Sequence, residues 1–164
     1  MTGEEAALAR PLIARLTERG ETVATAESLT AGLVCATLTE VPGASAVVRG
    51  GLVVYATDLK AKLAGVDEAL LAEHGAVHPE VAAQLAAGAR ERCGADWGLG
   101  LTGVAGPDPQ DGVTPGTVHI ALAGAGSCRV RTHRFEGGRA SVRTNSVRAA
   151  LELLGAALGP LAAP

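Results

Sequence analysis

Aromatic residues are almost missing from this 164-residue chain: one Trp, one Tyr and one Phe, 2% of the total. That scarcity argues against nucleic-acid recognition by stacking bases on ring faces. Positive charge is not in excess either. Fourteen Lys and Arg stand against 17 Asp and Glu, a formal net charge of -3, whereas a nucleic-acid surface carries a basic face. The three cysteines, Cys35, Cys93 and Cys128, have no ligand spacing among them. They read as free, buried thiols in a reducing compartment. No uninterrupted apolar stretch is long enough to span a bilayer. The first residues, Met-Thr-Gly-Glu-Glu, are acidic and lack a secretory apolar core. A soluble, cytoplasmic protein is expected.

Small residues are what the chain has in plenty. Gly numbers 22 and hydrophobic residues make up 48%, so the core is one of Ala, Val and Leu that brings elements close together. The length suits one domain, residues 1–164, able to bury a core without staples.

Hydrophobic periodicity sets the order of elements. A helical stripe over 3–19 ends at Gly20, with Pro11 either kinking it or opening its main part. A strand over 22–26 is followed by a helix over 29–38, which stops before Pro42-Gly43. The run 46–55 is a strand broken by Gly50-Gly51. Further helices follow from 59, over 67–74 and from Pro79 to Cys93. A strand at 97–101 leads into a loop dense in Gly and Pro, 102–115, of a length associated with function. The hairpin 116–123 and 127–135 precedes a last helix over 139–158. This alternation, with a hairpin closing the second half, predicts an α/β fold with a mixed sheet covered by helices.

Four segments are expected to converge at strand ends, where open α/β sheets bind ligands: 27–30, 55–60, 102–106 and 137–143. Ser28 reads as an N-cap or as a nucleophile at a helix N-terminus, and capping is the commoner role. Lys60 falls in the first turn of its helix, where the dipole opposes a cation and lowers its pKa. Arg139 and Arg143, one turn apart, would face a phosphate together. No His completes a Ser-His-Asp arrangement, and a Gly and a Pro defeat metal presentation by His74 and His78. His119 reads as a satisfied sheet residue.

Six motifs in series sharpen the reading. Ala26-Glu-Ser-Leu-Thr-Ala-Gly32, Val41-Pro-Gly-Ala-Ser45, Gly50-Gly-Leu-Val-Val-Tyr55 with Lys60 beyond it, Gly75-Ala-Val-His78, Thr102-Gly-Val-Ala-Gly-Pro107 and Pro115-Gly-Thr-Val118 resemble the CinA C-terminal domain family. That family includes stand-alone nicotinamide-nucleotide amidohydrolases. The resemblance covers nearly the whole chain. It implies a three-layer α/β/α sandwich with a mixed, mostly parallel sheet, and hydrolysis of nicotinamide mononucleotide to nicotinic acid mononucleotide and ammonia by a Ser/Lys mechanism with no metal and no cofactor. On that basis Ser28 matches the nucleophile, Lys60 the general base and Tyr55 a further catalytic group. Thr30, Ser45, Thr102, Gly103, Gly106, Arg139 and Arg143 are the expected substrate-binding set. Ala31, Ala44, His78, Thr114 and Pro109-Gln110 depart from the family pattern. The second reading is a catalytically silent nucleotide-binding or protein-interaction module. Apart from its small-molecule substrate, the expected partner is a second copy of the chain, since Ala- and Gly-rich helix faces suit a homodimer or higher homo-oligomer; neither nucleic acid nor membrane is expected.

Overall fold

A computed structural model describes residues 3–160. Its elements in chain order are α1 (Gly3–Arg19), β1 (Val23–Glu27), α2 (Leu33–Thr39), β2 (Val48–Val53), α3 (Thr57–Ala64), α4 (Glu68–His74), α5 (Pro79–Cys93), β3 (Trp97–Gly103), β4 (Thr117–Gly124), β5 (Ser127–Arg134) and α6 (Arg139–Leu158), with a 3-10 turn at Ala44–Ala46. The strands form one sheet in the order β2-β1-β3-β4-β5. β1 pairs in parallel with β2 and β3, and β4 pairs antiparallel with β3 and β5. Only β4 therefore runs against the rest, and the sheet is mixed and mostly parallel, as expected.

The strand period of two divides the core between the two faces of the sheet. Val23, Leu99, Leu101, Val118, Ile120 and Leu122 pack with α1, α2 and α6 on one face. Ala24 and Ala26 pack with α3, α4 and α5 on the other. α5 lies against β3 at unusually short range because Gly98 and Gly100 present no side chain to it. A Cβ on Gly98 would collide with the Ala86 carbonyl oxygen, and one on Gly100 with the backbone of Ala82 and Ala86. The small residues thus set the spacing of two layers.

Several boundaries moved. Pro11 lies inside α1, which runs through it. The second helix begins at Leu33 and not at 29, because 28–32 form a turn: the Ala31 amide donates to the Ser28 carbonyl and the Leu33 amide to the Thr30 carbonyl. Ala31 and Gly32 both take positive φ, 49° and 94°, values that cannot continue a helix. The cysteines are free, but Cys128 is exposed and Cys35 and Cys93 are half-buried, so they are not the buried set expected. Among the described residues, no helix is long and apolar enough to cross a membrane.

Candidate active site

β1, β2 and β3 deliver their C-terminal ends to the same side of the molecule, where a cavity of about 400 Å³ opens. Ser28 follows β1 directly. Tyr55 follows β2, and Gly103 closes β3. All three line the cavity together with Leu29, Ala105, Gly106, Asp108, Gln110 and Arg139.

Glu27 explains why the chain turns sharply after β1. Its side chain is fully buried, and its two oxygens accept from the amides of Val34 (2.9 Å) and Cys35 (3.1 Å) and from the Thr25 hydroxyl (3.0 Å). A carboxylate on the first amides of α2 satisfies donors that the helix leaves open and complements its dipole. Ser28 therefore caps nothing. The helix N-terminus is already taken by Glu27, and Ser28 is left at the cavity, 8% exposed.

Lys60 sits in the first turn of α3, whose N-cap Ala56 contributes no side-chain cap. Helix side chains lean toward the N-terminus, and here the lean carries the amine back over the residues that precede the helix. Nζ donates to the carbonyl oxygens of Val54 (2.8 Å) and Tyr55 (3.2 Å) and lies 3.0 Å from Ser28 Oγ. The side chain is 1% exposed. Among the described residues it pairs with no carboxylate, and burial pulls its pKa down from 10.5 to about 8. The geometry has a chemical consequence. As an ammonium, Nζ donates to all three oxygens; once neutral, with two protons on the carbonyls, its lone pair would face Ser28 Oγ.

The remaining expected residues divide. Tyr55 is on the cavity wall, 58% exposed, and its hydroxyl accepts from Arg139 Nη2 at 3.0 Å. Arg139 Nη1 donates to the Gly106 carbonyl at 3.0 Å, so one guanidinium ties the β2–α3 connection to the 103–116 loop. Arg143 does not join it. Its Nε donates to the Leu29 carbonyl (2.9 Å) and its Nη2 to the Thr30 carbonyl (3.3 Å), which turns it beneath the Ser28 turn and off the cavity wall. The expected pair of phosphate-facing arginines is thus split: Arg139 reaches Tyr55 and Gly106 at the cavity, while the carbonyls of the Ser28 turn capture Arg143.

Thr102 is buried, and its hydroxyl donates to the Ala76 carbonyl at 2.7 Å; it braces the end of β3 and is not turned to the cavity. Thr30 is fully buried and its Oγ1 has no partner among the described residues. Ser45 is exposed in the 3-10 turn before β2. Since β2 runs parallel to β1, this turn lies at the opposite end of the sheet from Ser28. Of the histidines, His78 caps α5 by accepting from the Glu80 amide (3.1 Å) and its ring stacks on that of His74. His119 Nδ1 bonds Thr132 Oγ1. Asp108 was not singled out from the sequence, and Gln110 was noted only as a departure from the family pattern, not as a site residue. Both belong to the long loop, whose path over the cavity depends on distant contacts such as that of Asp111 with the Ala76 amide (3.4 Å).

The sequence matches the family profile of the CinA C-terminal domain over residues 5–158. The chain belongs to the CinA C-terminal domain family. Among CinA-family relatives, a CinA-like protein from Frankia casuarinae is 49% identical over 152 residues, 93% of this chain and 35% of the relative. One from Gloeobacter violaceus is 47% identical over 154 residues, 92% of this chain and 36% of the relative. The chain thus spans about a third of the length of the curated relatives it matches. Solved structures agree over almost their full length. A competence/damage-inducible protein from Agrobacterium tumefaciens superposes with a TM-score of 0.91 at 38% identity, covering 96% of this chain and 97% of that one. A CinA superfamily protein from Escherichia coli superposes at 0.88 and 32% identity, covering 92% and 88%.

Proposed function

We propose that the chain is a Ser/Lys amidohydrolase that converts the carboxamide of nicotinamide mononucleotide to the carboxylate, releasing ammonia. One observation carries the reading: the buried Lys60 amine stands 3.0 Å from Ser28 Oγ, with its other two directions taken by carbonyls. A serine hydroxyl is a weak nucleophile without a base beside it, and a lysine serves as that base once its pKa approaches neutrality.

In this mechanism neutral Lys60 accepts the Ser28 proton as Oγ attacks the amide carbon. The oxyanion of the tetrahedral intermediate is held by backbone N–H groups of the Ser28 turn. The first amides of α2 are not available for this, since they are bonded to Glu27. The Lys60 ammonium then returns its proton to the amide nitrogen and ammonia departs, leaving an ester on Ser28. Water, deprotonated by Lys60, hydrolyses that ester to the nicotinate product and restores the hydroxyl.

The cavity suits the rest of such a substrate. Its volume of about 400 Å³ falls within the range of small-molecule sites. Arg139 stands on its wall with a fork of donors matched to a phosphate, while Asp108 and Gln110 offer acceptors to ribose hydroxyls.

The deciding assay measures ammonia release from nicotinamide mononucleotide by the purified protein, with and without a chelator. Sustained release in both conditions supports the Ser/Lys reading. Binding of pyridine nucleotides without turnover would leave a silent binding module in its place.

A further inference from the structure

The turn that carries Ser28 is held from behind, and the hold is supplied by one side chain. Arg143, half-buried in the second turn of α6, donates to two successive carbonyls, those of Leu29 and Thr30. α6 is itself fixed to the sheet through Val142 and Val147, both buried in the core with Leu101 and Val118. The guanidinium therefore transmits the position of a rigid element to a five-residue turn containing a left-handed alanine.

The peptide plane gives this contact its meaning. In a trans peptide the C=O and N–H point in opposite directions. The 28–29 peptide has its oxygen engaged by the Ala31 amide, and the 29–30 peptide has its oxygen engaged by Arg143 Nε. Their N–H groups, those of Leu29 and Thr30, are turned away from these contacts and donate to no group among the described residues. Leu29 also lines the cavity beside Ser28. Thr30 is fully buried, so it is the Leu29 N–H, on the cavity wall next to the nucleophile, that supplies a free donor of the kind an oxyanion needs. Arg143, by holding the next two carbonyls, fixes the orientation of the 28–29 peptide that carries this donor.

We infer that Arg143 is a positioning residue for oxyanion stabilisation, bracing the turn through the Leu29 and Thr30 carbonyls so that the free Leu29 N–H at the cavity wall faces the reacting carbonyl. The inference rests on the amidohydrolase reading above. It assigns Arg143 a role distinct from that of Arg139, which meets the substrate's anionic end.

The experiment compares Arg143→Ala and Arg143→Lys with the wild type on nicotinamide mononucleotide and on its riboside, which lacks the phosphate. A brace on the oxyanion donors acts in the transition state, so kcat falls by about 10–100-fold in Arg143→Ala. KM stays within about twofold, and the mononucleotide-to-riboside ratio of kcat/KM is unchanged. Arg143→Lys, which keeps a cation but makes fewer bonds, recovers part of kcat. Thermal unfolding confirms that each variant is folded; if Arg143→Ala is not, the Lys variant decides by the same split of kcat from KM. A collapse of the mononucleotide-to-riboside ratio would make Arg143 a phosphate ligand and overturn the inference. An unchanged kcat would overturn it too. Wild-type turnover is measured first, because its absence counts against the amidohydrolase reading itself, while its presence with either of those results counts against Arg143 alone.

Discussion

Lys60 Nζ and Ser28 Oγ are 3.0 Å apart, although 32 positions separate the two residues and each lies just past the end of a different strand. β1 and β2 are parallel neighbours, so the residues following them emerge at the same edge, and the backward lean of Lys60 closes the remaining distance. The first expectation concerns this pair. Ser28→Ala and Lys60→Met each reduce kcat/KM for ammonia release by about 10³–10⁴-fold, as loss of a nucleophile or its base does elsewhere. The two losses are not additive in the double variant. Steady-state kinetics on all three variants test it, and wild-type rates in either single variant would reject the dyad.

Lys60 also sets a pH dependence. With its pKa near 8, about a tenth of the amine is neutral at pH 7. The kcat/KM of the wild type rises with pH through about 8 and then levels. Stability responds over a different window. The folded pKa lies below the unfolded value of 10.5, so between about 8 and 10.5 the unfolded chain binds more protons at this site. Stability attributable to Lys60 therefore increases as pH rises across that window. Denaturant titrations of wild type and Lys60→Met, compared at pH 7.5 and 10, isolate it: the wild type gains relative to the variant at the higher pH.

Arg139 should decide affinity and not chemistry. Removing it in Arg139→Ala deletes the donors at the cavity wall and releases Tyr55 Oη and the Gly106 carbonyl. KM for the mononucleotide rises about 10–100-fold, in line with loss of a charge-assisted contact. The riboside, with no phosphate to lose, changes by less than about threefold. Equal losses on both substrates would place the phosphate elsewhere.

Glu27 is expected to matter for stability first. Glu27→Ala strips the cap from two α2 amides and the partner from the buried Thr25 hydroxyl. A destabilisation of about 2–4 kcal/mol follows from the unsatisfied donors and the lost side-chain volume. Glu27→Gln, which keeps the shape and one acceptor oxygen, falls between it and the wild type. Chemical denaturation measures both.

Ala31 holds φ at 49°, in the left-handed region that disfavours a Cβ. Ala31→Gly relieves that strain and stabilises the protein by about 0.5–1 kcal/mol, partly offset by the added freedom of the unfolded chain. A rise in the denaturation midpoint without loss of activity is the expected result. A fall would mean that the methyl group supplies packing that outweighs the strain.

Much of this architecture is written in local pattern. The alternation of strands with helices follows from apolar spacing and from boundary signals such as Gly20, Pro42-Gly43 and Pro79, and its order was legible in the sequence. Lys60 in the wrong turn for a cation was legible as well, since the helix dipole is a local property. The helix start near Leu29 was misplaced because the sequence offers a competent cap in Ser28. What decided the start was a carboxylate from the preceding strand, whose reach to Val34 and Cys35 depends on how α2 folds back over β1. The arginines were misread for a similar reason. One helical turn puts Arg139 and Arg143 on one face in isolation, but the carbonyls of Leu29 and Thr30, more than 110 positions earlier in the chain, capture Arg143 while Arg139 reaches Tyr55 and Gly106. Ser45 carried a motif and no address. Only the parallel run of β1 and β2 shows it at the far end of the sheet.

The opening scarcity of aromatics and abundance of Gly thus take on a spatial sense: small residues let α5 approach β3 and let a backbone turn carry Ser28. By itself the sequence determined the elements, their order and the residue types from which a site is made, because helix and strand periodicities, turns and dipoles act over a few neighbouring positions. The tertiary structure alone decided which of those residues meet, because contacts between strand ends and across helix faces depend on sheet order, chain direction and layer spacing. Ser28 with Lys60 and Arg143 with the Leu29–Thr30 peptide are relationships of that second kind.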